Sequence, residues 1–132
     1  MANTKFINRA EGLPVPQGIW SHVAISEPGR MVFICGVVAK DVDGNLVGKG
    51  DMGTQTRQTC ENVKAAVEAA GGTLSDIVRV DVYTTDIEEF DAIHAVRREY
   101  FPENPPVSTM VEITRLVHPD AWIEINAIAV LA

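Results

Sequence analysis

The chain has 132 residues, of which 46% are hydrophobic and 22% charged, and it carries a net charge of −7. That balance excludes a disordered polymer and supplies apolar side chains enough for a packed core, so residues 1–132 are read as one domain. Its 11 scattered basic residues against 18 acidic ones exclude a nucleic-acid surface, which needs clustered Lys and Arg.

Residues 11–18, rich in proline and polar side chains, read as an irregular lead-in, and residues 21–26 as a strand. The Glu27-Pro28-Gly29-Arg30 stretch is a turn, because Pro presets φ and Gly tolerates positive φ. Met31 to Cys35 is a short apolar run of the kind that forms a buried strand. Asp43-Gly44 signals a hairpin between residues 36–40 and 46–47.

Residues 51–70 form the first helix: Met52, Thr56, Cys60, Val63, Val67 and Ala70 recur at spacings of three and four, and Gly71-Gly72 ends it. A strand over 77–85 places Val78, Val80 and Val82 on one face and Arg79, Asp81 and Tyr83 on the other. Asp86 caps a second helix with the stripe Phe90, Ile93, Val96, Tyr100, and Pro102 stops it. Two closing strands follow at 107–116 and 121–131. Ser108, Met110 and Glu112 alternate with Thr109, Val111 and Ile113, and Trp122, Glu124 and Asn126 alternate with Ile123, Ile125 and Ala127.

Two helices cover only one face of such a sheet. The face assigned Ser108, Met110, Glu112, Trp122, Glu124 and Asn126 mixes apolar groups with carboxylates, which suits neither plain solvent nor a monomer core. A contact between subunits, with a wet cleft at its edge, accounts for it. Cys35 and Cys60 form no CxxC pair and the three histidines His22, His94 and His118 are far apart, so no metal site is expected. The start lacks a signal-peptide pattern and no apolar run reaches membrane-spanning length, so the expected location is a reducing cytoplasm.

Several motifs together resemble one family. They are QTRQTCENVKAAVEAAG at 55–71, DIVRV at 76–80, Tyr83-Thr84-Thr85-Asp86, Phe90, Tyr100-Phe101-Pro102, VEITRL at 111–116 and IEINAIA at 123–129. With Ile34-Cys35-Gly36, where that family usually has a Ser-Gly pair, the chain is similar to RidA proteins (reactive intermediate deaminase, YjgF-like) over nearly its whole length. The resemblance implies an α+β, chorismate-mutase-like fold, with two helices packed on one face of a mixed β-sheet. It also implies a homotrimer with a central barrel and clefts between neighbouring subunits. Typical members hydrolyse enamines and imines to ketones and ammonia without metal or organic cofactor. A ribonuclease label carried by some relatives ranks last here, given the net charge of −7.

Three positions depart from the family pattern. The arginine that clamps a substrate carboxylate is replaced by Ser108, and residues 103–114 hold no Lys or Arg. A serine hydroxyl gives one neutral hydrogen bond where arginine offers a bidentate fork. Trp20 stands at the cleft tyrosine and Cys35 at the serine. Glu124 keeps the family's carboxylate, which orients or activates a water, and is the candidate catalytic residue. Trp20, Cys35, Ser108, Thr109 and Met110 are the candidate substrate-binding residues. The expected function is a hydrolytic deaminase of small imines or enamines with altered specificity. The alternative is a non-catalytic trimer that binds a small metabolite or a partner protein; neither a nucleic acid nor a membrane is an expected partner.

Overall fold

The computed structural model describes residues 4–132. In chain order the elements are β1 (Thr4–Ile7), β2 (Val23–Ser26), β3 (Arg30–Val37), α1 (Met52–Ala69), β4 (Ile77–Thr84), α2 (Phe90–Tyr100), β5 (Val107–Glu112) and β6 (Ile123–Leu131). Strands β1 and β2 pair as an antiparallel hairpin, while the others form one mixed sheet in the order β3-β6-β4-β5. The β4–β5 pair is parallel, as it must be when the connection between them is a crossover helix, here α2; β6 runs antiparallel to both its neighbours. The mixed α+β architecture expected from the sequence is thus present, and both helices contribute buried side chains to one core with the sheet.

The core forms where α1 meets the inward face of the sheet. Ile123, Ile125, Ala127 and Ala129 of β6 are buried, as the alternation of a pleated strand requires, together with Val80 and Val82 of β4 and Ile34 of β3. From α1 come Met52, Cys60, Val63 and Val67, and from α2 Ile93. Burial pushes the Cys60 thiol up to about 12, so it packs as a small apolar group. Asp51 caps α1 by accepting from the Thr54 N–H. Gln55, fully buried, donates to the carbonyls of Gly48 and Asp120 and accepts from the Trp122 N–H, tying two loops to the helix.

Several boundaries differ from the sequence expectation. The hairpin after β3 reduces to a single bridge between Lys40 and Leu46, its tip organised by the Asp41 carboxylate accepting from Asp43 and Asn45. Asp86 caps a short 3-10 turn (Ile87–Glu89) that runs on into α2, rather than capping the α-helix itself. A register shift between Ile77 and Arg79 breaks the alternation of β4, so that Ile77, not Val78, joins Val80 inside.

A larger correction concerns the open face. Val80 pairs with Ser108 and Val82 with Met110, so Ser108 and Met110 lie on the helix side of the sheet. Glu124 pairs with Tyr83 and Asn126 with Asp81, on the opposite side. The period of each strand was readable, but the relative phase of two strands is set by pairing register, and a slip of one residue exchanges the faces. The open face carries Met31 and Phe33 of β3, 58% and 71% exposed, with Asp81, Tyr83, Glu124 and Asn126.

Truncating the middle of β6 tests this core. Ile123 is 0% exposed, and Ile123→Ala is expected to cost about 2–5 kcal/mol in urea unfolding, with the secondary structure of the folded state unchanged by circular dichroism.

Candidate functional site

The residues nominated from the sequence separate into two groups on opposite faces of the sheet. The first lies where α2, β5 and the segment before β2 converge. Helix periodicity places Phe90, His94 and Arg97 at positions i, i+4 and i+7, hence on one face of α2. His94 Nδ1 faces the Ile19 N–H at 3.5 Å, and Arg97 Nη2 donates to the Ile19 carbonyl at 3.0 Å. Both polar groups of Ile19 are thereby held by α2, and the next residue, Trp20, is set against the His94 ring at 5.9 Å between centroids. Ser21 continues the anchoring: its N–H donates to the Pro106 carbonyl and its hydroxyl to that of Pro105. A side chain at Gly18 would collide with the Trp20 and His94 rings, which explains why only glycine fits there.

Arg97 also donates to Ser108 Oγ, at 3.1 Å. The sequence expectation that Ser108 leaves this position without a cation is therefore corrected: a guanidinium reaches it from α2 instead of from β5. Arg97 is 1% exposed, its Nη1 has no hydrogen-bond partner, and among the described residues no carboxylate pairs with it. Burial pulls its pKa down to about 10, which leaves it charged at neutral pH. Trp20, Phe90, His94, Arg97, Ser108 and Met110 enclose a cavity of about 160 Å³. Trp20 and Ser108 also wall a wider depression, of about 420 Å³, that includes His22, Arg79, Asp81 and Thr109.

The second group is on the open face. Glu124 lies directly over Gly36, so closely that a Cβ there would overlap its carboxylate. The register of β3 against β6 shifts between Ile34 and Val37, and Gly36, within this irregularity, lies against Glu124, next in the chain to the exposed Cys35. Among the described residues no cation pairs with Glu124. Its neighbour Asp81 is engaged by Arg79 and by Asn126. Trp20, Ser108 and Met110 are thus brought together, Thr109 borders the wider depression, and Glu124 lies apart from them against Gly36, with the exposed Cys35 next to that glycine in the chain. Arg97 and His94 were missed in the sequence. Their signal was present as two polar residues in register with Phe90 on a face otherwise taken as apolar.

Comparison with known proteins follows the same lines. Residues 11–131 match a family model described as endoribonuclease L-PSP. A RutC family protein of Pyrococcus horikoshii is 41% identical over 119 residues, covering 90% of this chain and 92% of the relative. A protein of Acinetobacter baylyi named 3-aminoacrylate deaminase RutC is 34% identical, with 90% and 92% covered. Among solved structures, a conserved Rid family protein, YyfB of Yersinia pestis, superposes with a TM-score of 0.89 at 32% identity, covering 98% of this chain and 99% of that one. The YjgF gene product of E. coli gives 0.73 at 33% identity, with 97% and 99% covered.

The His94 environment makes a pH prediction. Burial, and then the charges of Arg97 and Arg98, lower its pKa from 6.5 to about 4. Above pH 6.5 it is neutral folded and unfolded alike; below that the unfolded chain takes up a proton that the folded chain refuses until about pH 4. Stability is therefore lost as pH falls through this window. Urea midpoints between pH 7 and pH 4.5 should fall less for His94→Gln than for the unsubstituted chain, and the His94 C2 proton resonance should stay unshifted down to about pH 5.

Proposed function

Because this chain belongs to the RidA/YjgF family, we propose that it is a hydrolytic deaminase of small reactive imines and enamines, acting where one copy's Glu124 meets the Trp20–Ser108 wall of another. The observation that carries this reading is the Glu124 carboxylate, laid over Gly36 on the open face with no cationic partner among the described residues. A carboxylate not engaged in an ion pair is free to take a proton from water. The relative named as a 3-aminoacrylate deaminase supports the same chemistry.

The assembly part of the proposal rests on the open face. Phe33 at 71% exposure and Met31 at 58% lie two residues apart on the same face of β3 and together leave an apolar patch in water. Packing three copies through these faces would cover them. It would also resolve the separation found above, since Glu124 and Ser108 of one chain point to opposite sides of the sheet and can share a cleft only when supplied by different copies.

In the proposed reaction, an enamine first tautomerises to its imine. Glu124 accepts a proton from a water as the water oxygen bonds to the imine carbon. Glu124 passes that proton to the nitrogen as the C=N double bond becomes single, giving a carbinolamine. Glu124 then takes the carbinolamine hydroxyl proton and delivers it to the nitrogen, so that the C–N bond breaks as the C=O double bond forms, leaving a carbonyl compound, ammonia and the original carboxylate. One water is consumed and no electrons change hands. The protein's task is to place water beside the electrophilic carbon and relay protons.

Two measurements test this. Light scattering is expected to give a mass of three chains, and a monomer at micromolar concentration would remove the shared cleft. Ammonia release from imines generated in situ by an amino-acid oxidase or lyase should fall by roughly 10²–10⁴-fold in Glu124→Gln, with the fold retained. Gly36→Ala should also lower it, by displacing the carboxylate. Ligand binding without ammonia release from any such imine would leave the clefts as metabolite-binding sites and overturn the hydrolase reading.

A further inference from the structure

Trp20 stands in a stretch with no helix or strand of its own. Residues 8–22 run from β1 to β2 through turns and bends, so regular backbone pairing does not fix the direction of the indole, and tertiary contacts must. They flank it on both sides. Before it in the chain, Arg97 Nη2 donates to the Ile19 carbonyl at 3.0 Å and His94 Nδ1 faces the Ile19 N–H at 3.5 Å, the longer and weaker of the two contacts. After it, Ser21 is fastened to the carbonyls of Pro105 and Pro106. The indole itself rests against the His94 ring, which is packed in turn edge-on to Phe90 with centroids 4.0 Å apart. Trp20 and Ser108 border both the cavity of about 160 Å³ and the depression of about 420 Å³. The indole is therefore a wall shared by two recesses, with Phe90 and Met110 in the first and His22 and Thr109 in the second.

The strength of the hold follows from the charge of Arg97. Its hydrogen bonds among the described residues go to the Ile19 carbonyl and the Ser108 hydroxyl, and it is 1% exposed. Letting the segment before β2 swing away would strip a buried cation of one of these two acceptors, a larger loss than a neutral donor would suffer. We propose that Arg97, assisted by His94, is a positioning residue: it acts through Ile19 to fix the Trp20 indole as the shared wall, and so sets how closely a small imine is held during hydrolysis. The substrate touches the indole, and Arg97 stands behind it. Ser108 has a part in this, because its hydroxyl holds Arg97 Nη2 at 3.1 Å from the side opposite in sequence, on β5.

The catalytic part of this inference rests on the hydrolase reading, but the position of the indole is followed without turnover. The test uses the full chain carrying Trp122→Phe, which leaves Trp20 as its single tryptophan. Into it are placed Arg97→Met, which keeps apolar bulk without a donor, and Arg97→Lys, whose one nitrogen can serve both acceptors as Nη2 does. Acrylamide quenching of Trp20 fluorescence is expected to rise in Arg97→Met. In the same variant kcat/KM for ammonia release, from the imine that an amino-acid oxidase makes from alanine, should fall roughly 10-fold. Arg97→Lys should recover most of both. When Trp20→Leu has removed the wall, Arg97→Met should lower kcat/KM little further, the coupling of two residues that act as one. A folded Arg97→Met with unchanged quenching overturns the proposal. So do losses that multiply in the double variant, which would make Arg97 a structural tie with no part in placing the wall. Where Arg97→Met does not fold, His94→Phe decides in the same way: it keeps the ring and removes the acceptor, with an expected loss of about 3-fold. Absence of ammonia from every imine sinks the hydrolase reading, and the quenching then decides this inference alone.

Discussion

The pleat of β6 governs the arrangement of everything else in the molecule. This strand lies between β3 and β4 and is paired along nearly its full length on both sides. Its residues Ile123, Ile125, Ala127 and Ala129 are pressed under the helices, so the residues between them have no choice but to face away. Glu124 is one of those. Its position on the open face is thus a consequence of hydrophobic burial on the other, and no local feature of the carboxylate is needed to explain it. Ala127 and Ala129 join the core shared with α1, and Glu124 crosses Gly36 at the irregularity of β3 opposite residues 125–127.

The same geometry explains why one chain carries two incomplete clusters. The cavity beside Ser108 is walled by α2 and the segment before β2, on the helix side of the edge strand β5. The carboxylate is on the reverse side, two strands inward. A sheet is impermeable to side chains, so the groups cannot cooperate within a chain. An assembly that places the open face of one copy at the edge of another removes the obstacle, and it covers Phe33 and Met31 in doing so. A single arrangement would then satisfy the hydrophobic and the chemical demands of the surface together.

Polar burial in this protein falls into two kinds that deserve contrast. Gln55 is fully enclosed, yet each side of its amide has backbone partners, so its burial stabilises the loops it joins. Arg97 is equally enclosed, but among the described residues one of its terminal nitrogens has no hydrogen-bond partner. The first is a finished structural network. The second is a buried cation whose lost hydration is only partly offset by the Ile19 carbonyl and the Ser108 hydroxyl.

The chain's sequence was sufficient for its elements and its kinship. The stripe of α1 with its Asp51 cap and the stop at Gly71-Gly72, the valine-rich β4 and the alternation within β5 and β6 are local patterns, fixed by helical and strand periods that any segment carries by itself. The family motifs likewise nominated Trp20, Cys35, Ser108, Met110 and Glu124. What the sequence did not contain was which strand faces share a side, since period two is the same in either register and only the pairing of Val80 with Ser108 and Tyr83 with Glu124 decides it. Nor could it reveal that the cation missing from β5 returns from α2. Arg97 lies 11 positions away from Ser108 in the chain, and their contact exists only because a parallel crossover lays the helix back over the edge of the sheet.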